Sequence, residues 1–251
     1  MSRKKLITIG CSFTRDILSF SHVSRGVFEN SSRGVFKPGY DFPVWPTLLA
    51  EKLDMDCLNL GRGGMGNDYI SAKLVDTVLS EKKEDIGLVV LMWSGWQRID
   101  YQDIDGVWEK MVRRGDAWNN ILKYNNAHNA TTKSLRYFLM SQMLLKDIPY
   151  LMIQGVDVQY KLAAEQGNVT AELKWPQIFL NSKIFDEIDE KKFIGWTIMR
   201  EIGGYNVIDM LDKLDPERTQ LRISKEDHHP NAEGNKIIAQ EIYNAYEKVY
   251  I

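Results

Sequence analysis

Leu88–Trp93 reads Leu-Val-Val-Leu-Met-Trp, six apolar residues with no polar position between them. A strand with one face in water alternates apolar and polar residues, so a short unbroken run is read as a strand covered on both faces. Such a strand needs layers above and below it, and the rest of the chain offers them. Strand-like runs at Lys5–Ile9, Cys57–Leu60, Tyr150–Gln154 and Val207–Met210 alternate with helical patterns at Trp45–Leu53, Asp68–Leu79, Ser134–Leu145 and Ala232–Tyr250. In the second helix Ile70, Leu74, Val75, Val78 and Leu79 share a face; in the last, Ile237, Ile238, Ile242, Ala245 and Val249 do. The order β-α-β-α predicts an α/β fold, a parallel sheet with helices on both sides.

The chain has 251 residues, enough for one large domain. We expect a single domain over 1–251 with insertions at about 19–40 and 94–132. The first is polar and glycine-rich and repeats Ser-Arg-Gly-Val-Phe; the second carries Trp96, Tyr101, Trp108, Trp118 and Tyr124. Both follow C-terminal strand ends, the edge at which an open parallel sheet holds its ligand.

A net charge of −2 leaves no electrostatic footprint for nucleic acid, so no nucleic-acid partner is expected. No apolar run approaches the ~20 residues of a membrane span. The start, MSRKKLITIGCSF, reads as a strand rather than a cleavable leader, which predicts a cytoplasmic protein. Cys11 and Cys57 both adjoin apolar runs and are read as buried, reduced thiols.

Four stretches carry possible chemistry. Ile9-Gly-Cys-Ser-Phe-Thr14 follows the first strand, and a serine at a sharp strand-to-helix turn is presented at the sheet edge. Ser12 is there either a nucleophile awaiting a base or a helix cap. Asn59 to Asp68 is a glycine cluster in which Gly61, Gly63 and Gly66 match G-x-G-x-x-G. A dinucleotide site would also need an acid at the end of the next strand, which instead ends Met92-Trp93-Ser94. The cluster is then a tight turn, or it aims a backbone amide at a reacting oxygen. The third strand is followed by Trp93-Ser94-Gly95-Trp96-Gln97-Arg98, whose residues are candidates for substrate contact. Finally, Glu226-Asp227-His228-His229-Pro230 sets two acids beside two histidines. Zinc sites space helical histidines three or four apart, so adjacent imidazoles argue against a metal. An acid-histidine pair facing a serine and an amide donor is the equipment of acyl transfer.

Taken in order, these stretches resemble the SGNH (GDSL-like) hydrolase family. Gly10-Cys11-Ser12-Phe13-Thr14 looks like its first block, with Ser12 at the nucleophile position. Asn59-Leu60-Gly61-Arg62-Gly63-Gly64 looks like the second, with Gly64 at the oxyanion-hole glycine. Asp227-His228-His229-Pro230 looks like the last, with Asn231 and Gly234 trailing it. The blocks span residues 10 to 234. The resemblance implies a flavodoxin-like three-layer α/β/α sandwich with a central parallel sheet of about five strands. It also implies hydrolysis of a carboxylic ester, such as an O-acyl group on a glycan or a lipid ester, with no metal or organic cofactor. Divergent members of this kind are associated with bacteriophages and marine bacteria, which suggests a virus-encoded origin.

The resemblance assigns Ser12 as nucleophile, His229 as base and Asp227 as the acid that orients it. The amides of Ser12 and Gly64 would hold the oxyanion, and His228 would be a bystander. Two departures stand out. The third block has no asparagine, leaving Ser94 or Gln97 as substitute donors or the third donor missing. The commonest spacing puts the acid three residues before the histidine, at Glu226, so Asp227 and Glu226 compete. Trp93, Trp96, Gln97 and Arg98 are the candidate substrate contacts. The rival reading is a binding or structural protein that keeps the fold and uses the aromatic face near Trp93–Trp118.

Overall fold

A computed structural model describes residues 3–15, 42–111, 126–158, 170–225 and 227–251, with 170–174 by backbone alone. The insertion expected at 19–40, the greater part of the second insertion beyond Met111 with Trp118 and Tyr124, and Glu226 lie outside the described residues.

Among the described residues the helices and strands are β1 (Lys5–Gly10), α1 (Trp45–Leu53), β2 (Asp56–Asn59), α2 (Asn67–Ser80), β3 (Ile86–Trp93), β4 (Asp100–Gln102), β5 (Trp108–Lys110), α3 (Ala127–Leu144), β6 (Tyr150–Gln154), α4 (Thr170–Leu180), β7 (Phe193–Ile194), α5 (Val207–Leu214) and α6 (Ala232–Tyr250). Five strands form one sheet in the order β2-β1-β3-β6-β7, every neighbour parallel. All eight residues of β3 are buried, as its unbroken apolar run requires.

Alternate strand residues feed two cores. Leu6, Leu88, Val90, Leu151 and Ile153 pack with Trp45 and Leu49 of α1, Val207 and Leu211 of α5, and Ile238 and Ile242 of α6. Ile7, Ile9, Val89, Leu91 and Met152 pack with Ile70 and Leu74 of α2, Leu135 and Phe138 of α3, and Trp175 and Phe179 of α4. Helices therefore cover both faces, giving the three-layer α/β/α sandwich. Each large side chain so enclosed contributes about 1.5–3 kcal/mol of transfer free energy.

The chain leaves β1 for β2 on one side and returns to β3 on the other. The order therefore reverses at the C-terminal end of β1, where a crevice opens in sheets of this kind.

The helix expected over Ser134–Leu145 begins earlier, at Ala127, and the expected fifth strand and buried Cys57 need correction as well. Val207–Met210 is not a strand but the first turn of α5, started by a capping box in which Asn206 and Asp209 satisfy each other's amides. The fifth strand is the two-residue β7, too short for periodicity to reveal. Cys57 is exposed rather than buried, because β2 is an edge strand; Cys11 is buried, and the two form no disulfide. No helix among the described residues is long and apolar enough to cross a membrane.

Candidate functional site

The turn after β1 is closed by the amides of Thr14 and Arg15, which both donate to Cys11 O at 3.0 and 3.1 Å. It is held from three sides. Trp45 Nε1 donates to Phe13 O at 2.9 Å. Asn59 Nδ2, at the end of β2, donates to Thr14 O at 2.8 Å, and Asn59 Oδ1 accepts from Gly61 N at 3.0 Å. Arg62 N donates to Gly10 O at 3.0 Å. Gly61 lies so close that a Cβ there would sit 2.6 Å from Arg15 N, so only glycine permits this docking of the two turns. One asparagine thus couples the serine turn to the glycine turn. It stood inside the second sequence block, yet its structural part depends on contacts across the sheet edge.

The histidine arrives on a short hairpin before α6. Ile223 N donates to His229 O at 2.9 Å and Asn231 N to Leu221 O at 3.2 Å. Asn231 caps α6 by accepting from Gly234 N at 3.0 Å, and its Nδ2 donates to Gln220 O and Arg222 O at 2.8 and 3.1 Å. Below it Asn235 binds Pro230 O at 3.1 Å and accepts from Trp45 N at 2.9 Å, tying α6 to the start of α1. The stem of the hairpin therefore rests on the same helix that steadies Phe13.

These supports bring Ser12 and His229 together across 217 positions of chain: Ser12 Oγ lies 2.8 Å from His229 Nε2. His229 Nδ1 lies 2.6 Å from Asp227 Oδ1, which also accepts the His229 amide at 3.1 Å. Burial by itself would raise the Asp227 carboxyl, but hydrogen bonds from the His229 ring and amide hold it below the usual carboxylate range. Phe13 packs against the imidazole with ring centroids 5.1 Å apart. Ser12 is half-buried, so its hydroxyl is within reach of a ligand. His228 is exposed and its ring nitrogens contact the Arg218 guanidinium at 3.1 and 3.2 Å, apart from this line of groups. The arrangement can pass a proton from a hydroxyl to an imidazole backed by a carboxylate.

Gly64 has φ +81°, the left-handed region that favours glycine. Among the described residues the amides of Ser12 and Gly64 have no protein acceptor.

The third block behaves differently. Trp93 and Trp96 are 0% and 1% exposed, wedged among Phe138, Trp175 and Phe179. The expectation that they touch substrate is corrected: the apolar layer between sheet and helices claims them first. Ser94 is fully buried too, its amide donating to Asn67 Oδ1 at 2.8 Å and its carbonyl accepting from Gln154 Nε2 at 2.9 Å. Gln97 is 7% exposed. Arg98 donates to Met65 O at 3.0 Å and so braces the glycine turn.

Sequence reasoning missed Asp100. Its carboxylate accepts from Gly66 N at 2.7 and 2.9 Å and from Tyr69 N at 3.1 Å, capping α2 from a distant hairpin. Burial pushes its carboxyl up to about 6, against the lowering effect of those amides. A cap supplied from 31 or more residues away leaves no local signature. Asn67 and Asp68 offered a fainter one, as two polar residues opening an amphipathic helix. Asn67 Nδ2 donates to Ser134 Oγ at 3.2 Å, and Asp68 accepts from Lys133 Nζ at 3.0 Å and Tyr137 Oη at 2.7 Å.

Among the described residues no three metal-ligating side chains cluster.

No family model matches the sequence, and no curated protein does. Solved structures do match. LAE5, an α/β hydrolase enzyme from the metagenome of Lake Arreo, Spain, is 13% identical over 100% of this chain and 98% of its own, with a TM-score of 0.51. A catalytic mutant of Axe2, an acetylxylan esterase from Geobacillus stearothermophilus, is 14% identical over 97% of this chain and 94% of its own, with a TM-score of 0.49. A member of the lipolytic protein G-D-S-L family from Veillonella parvula is 15% identical over 98% of both chains, with a TM-score of 0.47. At such identities the likeness is one of fold, and the Lake Arreo enzyme carries it. The chain shares with it a fold, the three-layer α/β/α sandwich on a five-stranded parallel sheet in the order β2-β1-β3-β6-β7.

Proposed function

We propose that this protein is a divergent SGNH-type serine esterase that hydrolyses a carboxylic ester through Ser12, His229 and Asp227. One observation supports it above all: the unbroken line Asp227 Oδ1, His229, Ser12 Oγ, with separations of 2.6 and 2.8 Å, at the C-terminal edge of the sheet. Nothing structural in a turn and a hairpin requires those three groups to meet.

In this reading His229 Nε2 takes the Ser12 proton as Oγ attacks the ester carbonyl. The carbonyl π electrons move to oxygen, where the amides of Ser12 and Gly64 receive the charge. As the carbonyl re-forms, the C–O bond to the leaving group breaks and His229 returns its proton to the departing alcohol. Water then attacks the acyl-enzyme by the same route and releases the acid and free Ser12. Asp227 stays ionised, fixing the tautomer with hydrogen on Nδ1 and stabilising the imidazolium. The substrate class is an ester of a small molecule or an O-acylated glycan, and no cofactor takes part. The rival reading, a binding protein with an aromatic face, is weakened because Trp93 and Trp96 are enclosed in the core.

The test is hydrolysis of a neutral chromogenic acetyl ester by wild type and Ser12→Ala, with fluorophosphonate labelling alongside. The expected result is turnover and a covalent adduct on Ser12 in wild type, and neither in the variant. Equal rates in both proteins would refute the assignment.

A further inference from the structure

The second insertion begins with a hairpin, and the hairpin grips the glycine turn. Arg98, just before it, binds Met65 O at 3.0 Å. Asp100, the first residue of β4, receives the amides of Gly66 and Tyr69. Trp108, the first residue of β5, packs edge-on against Tyr69 at 5.7 Å. Glu109 faces Arg62 at 3.9 Å. Four contacts along one short hairpin fix its position relative to residues 62–69.

Lys110, directly opposite Asp100 in the β4–β5 register, lies across Gly64. A Cβ on Gly64 would be 2.8 Å from Lys110 Cδ and 3.0 Å from Lys110 Nζ. A Cβ lies about 2.5 Å from its own amide nitrogen, from standard bond lengths. The Lys110 ammonium is thus within about 5.5 Å of Gly64 N. Two donors that share one oxygen at about 2.9 Å each lie no more than about 5.8 Å apart. The spacing therefore permits the ammonium and the Gly64 amide to meet on a single oxygen. Glu109 turns to Arg62 instead, and no carboxylate pairs with Lys110 among the described residues.

We propose that Lys110 donates to the developing oxyanion beside Gly64, in place of the asparagine that the third block lacks. The proposal rests on the esterase reading above. An ammonium suits the task because a charge-assisted hydrogen bond is about twice as strong as a neutral one. It also explains the buried Asp100: the carboxylate is an anchor that keeps the hairpin, and with it Lys110, over the turn. No bond to Lys110 forms or breaks; it stabilises charge and keeps its proton.

The experiment compares wild type, Lys110→Met, Lys110→Arg and Ser12→Ala on a neutral acetyl ester, so that no substrate anion can recruit the lysine. The expected result for Lys110→Met is a kcat lower by about tenfold to a hundredfold with KM nearly unchanged. That loss is below the ~10²–10³ of an enclosed donor because Lys110 is solvent-exposed. Lys110→Arg should recover part of it. A Lys110→Met enzyme within twofold of wild type, while Ser12→Ala is inactive, would overturn the proposal and leave the esterase reading intact. A rise in KM with unchanged kcat would overturn it too, since that marks ground-state binding. Activity in Ser12→Ala equal to wild type would instead defeat the esterase reading, and this inference with it.

Discussion

Replacing Asp227 by Asn removes one charge and little volume. In the protein, Asp227 Oδ1 accepts from both the ring and the backbone amide of His229. The second of these bonds holds the amide oxygen of Asn in the same place, so the Nδ1–H tautomer should survive. What is lost is the attraction between carboxylate and the imidazolium formed as Ser12 attacks. Two unit charges about 4 Å apart interact by about 1 kcal/mol in water and about 4 kcal/mol at an effective dielectric constant of 20. The side chains of His229 and Asp227 are 40% and 22% exposed, which puts the site between those limits. At 1.36 kcal/mol per decade, that is a loss of about fivefold to a thousandfold in kcat. The assay is steady-state hydrolysis of a neutral acetyl ester at pH 8, with Ser12→Ala as the floor and thermal unfolding as a check on folding. An Asp227→Asn enzyme within twofold of wild type would refute the reasoning. If Glu226→Gln then lost activity instead, the acid would be Glu226.

Two further outcomes follow from burial. Trp96→Ala should lower stability by about 3–5 kcal/mol in denaturant unfolding, as for other large core residues, with KM unchanged; a raised KM in a normally stable variant would return Trp96 to the substrate. Asp100, at about 6 in the folded protein against about 3.8 unfolded, binds its proton more tightly when folded. The stabilisation is therefore full below about pH 4 and is lost as pH rises through about 6, by about 3 kcal/mol at 1.36 kcal/mol per unit. Asp100→Asn should flatten that part of the profile measured by urea unfolding between pH 4 and 7, and a slope unchanged by the substitution would count against it.

Much of the architecture was legible locally. The unbroken apolar run of β3 demanded cover on both faces, and helical spacing marked α1, α2 and α6 within a residue or so of their bounds. Where local signals conflicted, the stronger local chemistry won. Val207–Met210 is apolar enough for a strand, but Asn206 and Asp209 cap one another and start a helix. Strand β7 has two residues, and its place in the sheet depends on β6 offering an edge. Similarly, the aromatic residues after β3 could not declare their role. Trp93 and Trp96 are the same residue type whether they stack on a sugar or fill a core, and only packing against Phe138, Trp175 and Phe179 decides.

By itself the sequence determined residue type and order: a serine after the first strand, glycines after the second, and an acid and histidines before the last helix. Those are properties of short stretches, because a turn or a cap is set by neighbours in the chain. Distance was decided only by the tertiary structure. The sheet order 2-1-3 puts the strand reversal at the end of β1, and Asn59, Asn231 and Asn235 lock the turns around it. Asp100 and Lys110 belong to the same category. Nothing near either residue marks it, since each acts on the glycine turn from a hairpin more than thirty positions away. Hydrogen bonds and charges act through space, and the fold alone decides which residues are close enough to feel them.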